Sequence, residues 1–202
     1  MTNSVNLDPL EEDFLIEIFN LGIGQAAASL SMMLQQEIEI SVPEVRFIKF
    51  CDVSHHINAS HDICCVTQSM ESDFEVQSML LFPEENSLEI VRCLMKESFS
   101  DEMILELQQE AILEIGNIVL NACIASFSKA IQVHFKIAPP LFEKLDSQNL
   151  SHSTFDKENV VFFVKVNLHL SESLIDGNVL FILKSESMRI LQQKLHAILL
   201  SL

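Results

Sequence analysis

One pattern of acidic, amide and proline residues occurs twice in this 202-residue chain, and it limits the possible folds more than any other feature. Asp13, Glu17, Asn20 and Pro43 recur as Glu110, Glu114, Asn117 and Pro140, each pair 97 residues apart. Four chemically similar positions in one register point to an internal duplication. The chain has only four glycines, and three of them (Gly22, Gly24 and Gly116) fall beside this pattern. A glycine inside a helix costs about 1 kcal/mol relative to alanine, so these positions predict close packing or a closely approaching partner.

The surrounding segments have helical periodicity. Asp8 followed by Pro9 supplies an N-cap acceptor and then a residue whose missing N–H is harmless in the first turn. A helix is predicted over 9–34, with Leu15, Ile18, Phe19, Gly22, Ala26 and Met33 on its buried side. Two strands, 37–42 and 44–50, are expected on either side of Pro43, followed by a polar link around Ser54, His55 and His56. Strands at 63–70 and 75–82 lead into a helix at 84–95. The order then recurs as a helix at 101–130, strands near 131–137, 159–168 and 178–183, and a final helix at 185–201 that packs into the core. A shorter apolar piece, 141–145, lies between the first two of those strands. Because no Gly/Ser-rich linker divides the halves, the expected fold is α+β. It is a single domain of two repeats, about 8–100 and about 101–202, each helix–strands–strands–helix. Long helices pack on one antiparallel-rich sheet with a pseudo-two-fold relation.

Residues at i, i+4 and i+7 share a helix face. Asp13, Glu17 and Asn20 therefore form one stripe, and Glu110, Glu114 and Asn117 another, extended by Asn121. The apolar residues point the other way, so each stripe is expected on the surface, as a shallow face rather than a pocket. A single Glu-x-x-Asn on such a face is ordinarily just solvated. Its recurrence, each time with a proline 23 residues beyond the Asn, makes Glu17, Asn20, Glu114 and Asn117 the candidate catalytic residues. Asp13, Glu110, Asn121, Pro43 and Pro140 are auxiliary candidates, the prolines being equally explicable as turn or edge-strand punctuation.

Composition removes other classes. A formal net charge of −17 argues against nucleic acid and against anionic membrane surfaces. The acidic N-terminus does not resemble a secretory signal, and no uninterrupted apolar run of about 20 residues suggests membrane insertion, so a cytoplasmic location is expected. Five cysteines without a CxxC pair read as reduced, core-filling thiols, with Cys64 and Cys65 on opposite faces of a strand. His55, His56 and His61 form the only histidine cluster, read as a solvated loop rather than a metal site. Asn58–Ala59–Ser60 matches a glycosylation sequon without consequence in a cytoplasmic chain.

The segments DFLIEIFNLGIGQAAASLS with Pro43, and EAILEIGNIVLNA with Pro140, resemble the duplicated signature of the CheC/CheX/FliY family: Asp or Ser, three residues, Glu, two residues, Asn, 22 residues, Pro. The resemblance covers essentially the whole chain and is strongest to the two-site chemotaxis phosphatase CheC. It departs at Glu110, which stands for Asp or Ser, and at Phe19, which stands where the second repeat has Gly116. Phe19 is expected to pack inward and Gly116 to mark tighter packing. The resemblance implies a phosphatase acting on the aspartyl phosphate of a CheY-like response regulator. Asn20 and Asn117 would orient the attacking water while Glu17 and Glu114 grip the regulator's lysine. It implies no cofactor of the chain's own, the Mg2+ belonging to the regulator.

Those residue types suit that chemistry. Phosphoryl transfer depends mainly on positioning and charge stabilisation. A side-chain amide can both accept from and donate to a water, and a glutamate one turn away can fix a lysine. The competing reading is a non-catalytic adaptor that binds a response regulator or a CheD-like receptor deamidase. A FliY-like flagellar-switch role needs additional switch-binding segments, which are not expected in a chain ending at Leu202, so that reading is disfavoured. Two signatures argue against a CheX-like architecture, which carries one and dimerises.

Overall fold

The computed structural model describes residues 7–57, 62–94, 100–146, 155–170 and 173–201. The first long helix, α1 (Pro9–Leu34), opens on a capping box. Asp8 Oδ1 accepts from the backbone N–H of Leu10 at 2.7 Å and of Glu11 at 3.1 Å. The Glu11 side chain reaches back to accept from the Asp8 N–H. After it come β1 (Ile38–Lys49), a 3-10 turn (Phe50–Asp52), the short α2 (Val53–His56), β2 (Asp62–Glu71), β3 (Glu75–Pro83) and α3 (Glu84–Leu94). The second half contains α4 (Asp101–Ala130), β4 (Lys136–Ile137), β5 (Leu141–Asp146), β6 (Val160–Leu170), β7 (Ser173–Leu183) and α5 (Ser185–Leu199).

All strand pairs are antiparallel, in one seven-stranded sheet ordered β1-β6-β7-β3-β2, with β4 and β5 both paired along the outer edge of β2. The order is a palindrome. From either edge it reads first strand of one half, second strand of the other, third strand of the other. Two copies that exchange first strands would produce this order.

The strand expected to break at Pro43 does not break. β1 is continuous, and Pro43 sits in a bulge where its pairing with β6 slips between Ser41 and Glu44. An edge strand with a bulge has a position that needs no N–H, which is where proline fits. Pro140 occupies the matching place on the other edge, in the gap between β4 and β5. The second segments of the two edges resume at Glu44 and Leu141, again 97 apart.

The predicted strand at 131–137 shrinks to Lys136–Ile137 because the end of α4 winds back on itself. Gln132 takes a left-handed φ of 55°, and Val133 N–H donates to the Ser128 carbonyl while the Ser128 hydroxyl donates to the Val133 carbonyl. The end of α1 has the same grammar, with Gln35 at φ 50° and the Ser31 hydroxyl bonded to both N–H and C=O of Ile38. Ser31/Ser128 and Gln35/Gln132 are two further pairs in the 97-residue register.

One face of the sheet carries α1, α3, α4 and α5 around the larger core. Phe19 is fully buried there, its ring 4.6 Å from Phe181 and 6.0 Å from Phe127, as its predicted inward orientation requires. Met33, expected inside, is 42% exposed, because the inward stripe of α1 continues through Ala26, Leu30 and Leu34 at four-residue steps; Ile23 and Leu30 are buried instead. The second face is also covered. Phe50, Val53 and Ile57 pack on it with Cys65 and Phe163, so the segment expected as a polar link is a helical turn closing a smaller core. Cys64 belongs to the first core and Cys65 to the second. By length and composition alone α1 and α4 are both apolar enough to cross a bilayer, a property that buried core helices share. Here each inserts a buried stripe into the shared core.

Two glycines set how close the layers come. A Cβ on Gly22 would lie 2.8 Å from the Cys123 Cα, so α1 and α4 touch backbone to backbone. A Cβ on Gly116 would lie 2.6 Å from Val66, which holds α4 down on β2. Gly24 differs, since a side chain there would meet nothing within 4 Å. Gly22→Ala is therefore expected to destabilise, overpacking of about 1–3 kcal/mol outweighing the gain in helix propensity. Gly24→Ala should stabilise by up to about 1 kcal/mol. Urea unfolding midpoints check both, and shifts of the same sign would contradict this packing.

Burial raises the pKa of all five thiols, that of Cys123 from the ordinary 9.0 to about 12. Native protein at pH 8 should label rapidly at Cys51 and Cys93 at most, with Cys64, Cys65 and Cys123 reacting only on unfolding. Native Cys123 keeps its proton where the unfolded thiol loses it. Its contribution to stability is thus complete below pH 9.0 and falls away as the pH rises from there toward 12. Fast labelling of all five thiols would refute this arrangement.

Candidate functional site

The capping box starts α1 at Pro9 and so sets the angular position of every later residue on it. With Leu15, Ile18, Phe19, Gly22 and Ala26 turned to the core, Asp13, Glu17 and Asn20 are exposed together. On α4, capped by the Ser100 hydroxyl, Glu110 and Glu114 are exposed while Asn117 and Asn121 are half-buried. Both helices belong to the same layer, so both stripes emerge from the side of the molecule opposite the sheet.

The four carboxylates of the stripes have no hydrogen bond or ion pair to any described residue, although eight ion pairs exist elsewhere among the described residues. Glu17 and Glu114 therefore hold open acceptor capacity toward solvent, which is what capture of an external cation requires. The amides differ. Asn121 Nδ2 donates to Asn117 Oδ1 at 2.6 Å, whereas Asn20 has no hydrogen-bond partner among the described residues.

The stripe on α1 contains apolar residues that the sequence reading did not assign to it. Leu10, Leu21 and Met32 are 67%, 56% and 75% exposed, and their 11-residue spacing places them on one face beside Glu17 and Asn20. The same 97-residue register that matched the acids and amides pairs Leu21 with Ile118 and could have revealed this. Just inside the stripes, Ser126 Oγ donates to Gln25 Oε1 at 3.4 Å and links the two helices.

The site is a surface, as expected, and not a cavity. A cavity of about 670 Å3 opens on the other side of the sheet, between β2, β3 and the Phe155–Asn159 segment, and no stripe residue lines it. Pro43 lies at the bulge of β1 and Pro140 in the gap between β4 and β5. Among the described residues no three His, Cys, Asp or Glu side chains are grouped to hold a metal ion. His55 and His56 lie on α2, the His56 ring 5.5 Å from Phe163, while His61 and the sequon at 58–60 lie outside the described residues.

With this geometry in place, similarity to known proteins can be stated. Residues 10–46, which contain the first stripe and Pro43, match the CheC-like family. The chain is 25% identical over 179 residues to the flagellar motor switch phosphatase FliY of Bacillus subtilis, an alignment covering 87% of this chain. The chain spans about half the length, 46%, of that curated relative. The fold is that of Thermotoga maritima FliY, with a TM-score of 0.68 at 23% identity over 95% of this chain and 98% of the other. CheX in a CheX–CheY–BeF3–Mg2+ complex from Borrelia burgdorferi gives 0.54 at 21% identity over 84% and 97%. The FliM middle domain of H. pylori gives 0.66 at 13% identity over 93% and 99%. Residues 10–46 thus resemble the CheC-like family, and the chain as a whole has a fold shared with FliY, CheX and FliM.

Proposed function

We propose that this chain is a cytoplasmic phosphatase that removes the aspartyl phosphate from a CheY-like response regulator. The observation that carries the reading is the Glu-x-x-Asn stripe presented on the open face of both α1 and α4, with carboxylates that no described residue neutralises. Glu17 or Glu114 would bind a lysine beside the phosphorylated aspartate and fix the docking register. Asn20 or Asn117 would then hold a water in line with phosphorus, its Oδ1 accepting a hydrogen bond from that water. Attack by that water forms the new P–O bond as the aspartate carboxylate leaves, giving inorganic phosphate. The chain contributes orientation, and the Mg2+ is that of the regulator. The CheX–CheY–BeF3–Mg2+ complex, on the same fold, supports a CheY-like partner.

Similarity to the flagellar motor switch phosphatase FliY and to FliM middle domains favours a second placement, in which the same activity is exercised at the flagellar switch. The two placements differ in location, not in chemistry. Co-purification with flagellar switch proteins would select the second.

Phosphate release from a phosphorylated CheY-like regulator of the same organism, with Mg2+ present, tests the activity. Wild type should accelerate release. Asn20→Ala and Asn117→Ala should each lose part of that, and the double variant about 10²–10³-fold. A folded wild type that accelerates no regulator would overturn the phosphatase reading and leave an adaptor, whether for a regulator or for a CheD-like deamidase.

Glu17→Gln combined with Glu114→Gln should act mainly on KM, because the lost bond is made to the docked partner before the reaction as well as during it. An unchanged KM in steady-state assays would remove the glutamates from docking.

A further inference from the structure

The 97-residue register that makes the two stripes alike also shows where they differ. Asn121, one turn beyond Asn117, corresponds to Gly24, one turn beyond Asn20. On α4 the Asn121 amide donates to Asn117 Oδ1 at 2.6 Å. On α1 that partner does not exist, and the space a side chain would occupy at Gly24 is open.

The terminal torsion of an asparagine is broad, so an unpartnered amide exchanges the places of its oxygen and nitrogen readily. A donor one turn away breaks that degeneracy by fixing which side carries the oxygen. An amide oxygen has two lone pairs, so Asn117 can accept from Asn121 and still accept from a water. The half-burial of both residues shortens the list of competing solvent partners. Resting on the phosphatase reading, we propose that Asn121 is a positioning residue that pre-orients the Asn117 amide, so that the α4 site is organised before docking and the α1 site only on docking.

The two sites then divide the work unequally, with the α4 site having the higher kcat. Asn121 touches neither phosphorus nor the water, so its loss should leave docking intact and slow turnover. Asn121→Asp tests this most sharply, since it keeps the shape and removes the N–H donor.

The experiment uses the full chain and a phosphorylated CheY-like regulator with Mg2+. In an Asn20→Ala background, which leaves the α4 site, Asn121→Ala and Asn121→Asp should each lower kcat by about tenfold, the worth of one hydrogen bond. KM should stay within about twofold, as expected for a group that acts on the reacting geometry rather than on docking. Asn121→Gln, which keeps an amide donor, should recover part of the loss. In an Asn117→Ala background, Gly24→Asn should raise kcat at the α1 site by several-fold. Unchanged kcat in both Asn121 variants, or a change confined to KM, would overturn the positioning role while the phosphatase reading stands. An inactive wild type would instead remove the phosphatase reading and the role with it. The bond itself has a readout free of activity: the Asn121 side-chain amide resonances in a 15N spectrum should shift on Asn117→Ala far more than on Asn20→Ala. Equal, small shifts would overturn the inference.

Discussion

Neither half of this sheet closes on itself, because the first strand of each half finds its backbone partners in the other. β1 pairs with β6, and β5 with β2, so the N–H and C=O groups of both outer strands are satisfied only once the whole chain has folded. The central pairing of β7 with β3 joins the halves a third time. The two long helices then lie over one continuous surface and meet where Gly22 lets α1 approach the α4 backbone. The orientation of both stripes is inherited from this arrangement. A helix that must bury Leu15, Ile18 and Phe19 in a core shared with Phe181 and Phe127 has one remaining direction in which Glu17 and Asn20 can face.

A site on the outside of a packed helix has consequences for chemistry. It excludes no water and lowers no local dielectric, so it is poorly suited to driving a difficult reaction alone. It is well suited to completing a reaction centre that another protein already provides. On the proposed reading, two unneutralised glutamates and the two amides, with Leu21 beside them on α1, form an interface that supplies docking and orientation together. The formal charge of −17 favours long-range association with cationic rather than anionic surfaces.

Much of this was legible in the chain before any coordinates. The capped start at Asp8–Pro9 and the span of α1 and α4 follow from local rules that operate within a few residues. Errors fell where long-range pairing overrides local pattern. Residues 37–50 read as two strands because proline ordinarily ends one, but an edge strand opposite β6 can absorb Pro43 in a bulge. Residues 131–133 have strand-like composition, yet Ser128 and the left-handed Gln132 hold them against the end of α4. Val53 and the two histidines looked like a polar link because nothing local announces that the back of the sheet needs a cover.

The sequence by itself determined the 97-residue register, the two helices and the identity of the stripe residues, because side chains three, four and seven apart on a helix share a face whatever the rest of the molecule does. It also placed Phe19 inside and the carboxylates outside. Only the tertiary structure decided that the halves exchange strands, that Gly22 and Gly116 serve close approach while Gly24 does not, and that Asn117 is engaged by Asn121 while Asn20 stands alone. Those outcomes depend on distances between segments far apart in the chain, and on side-chain torsions that helical periodicity leaves open.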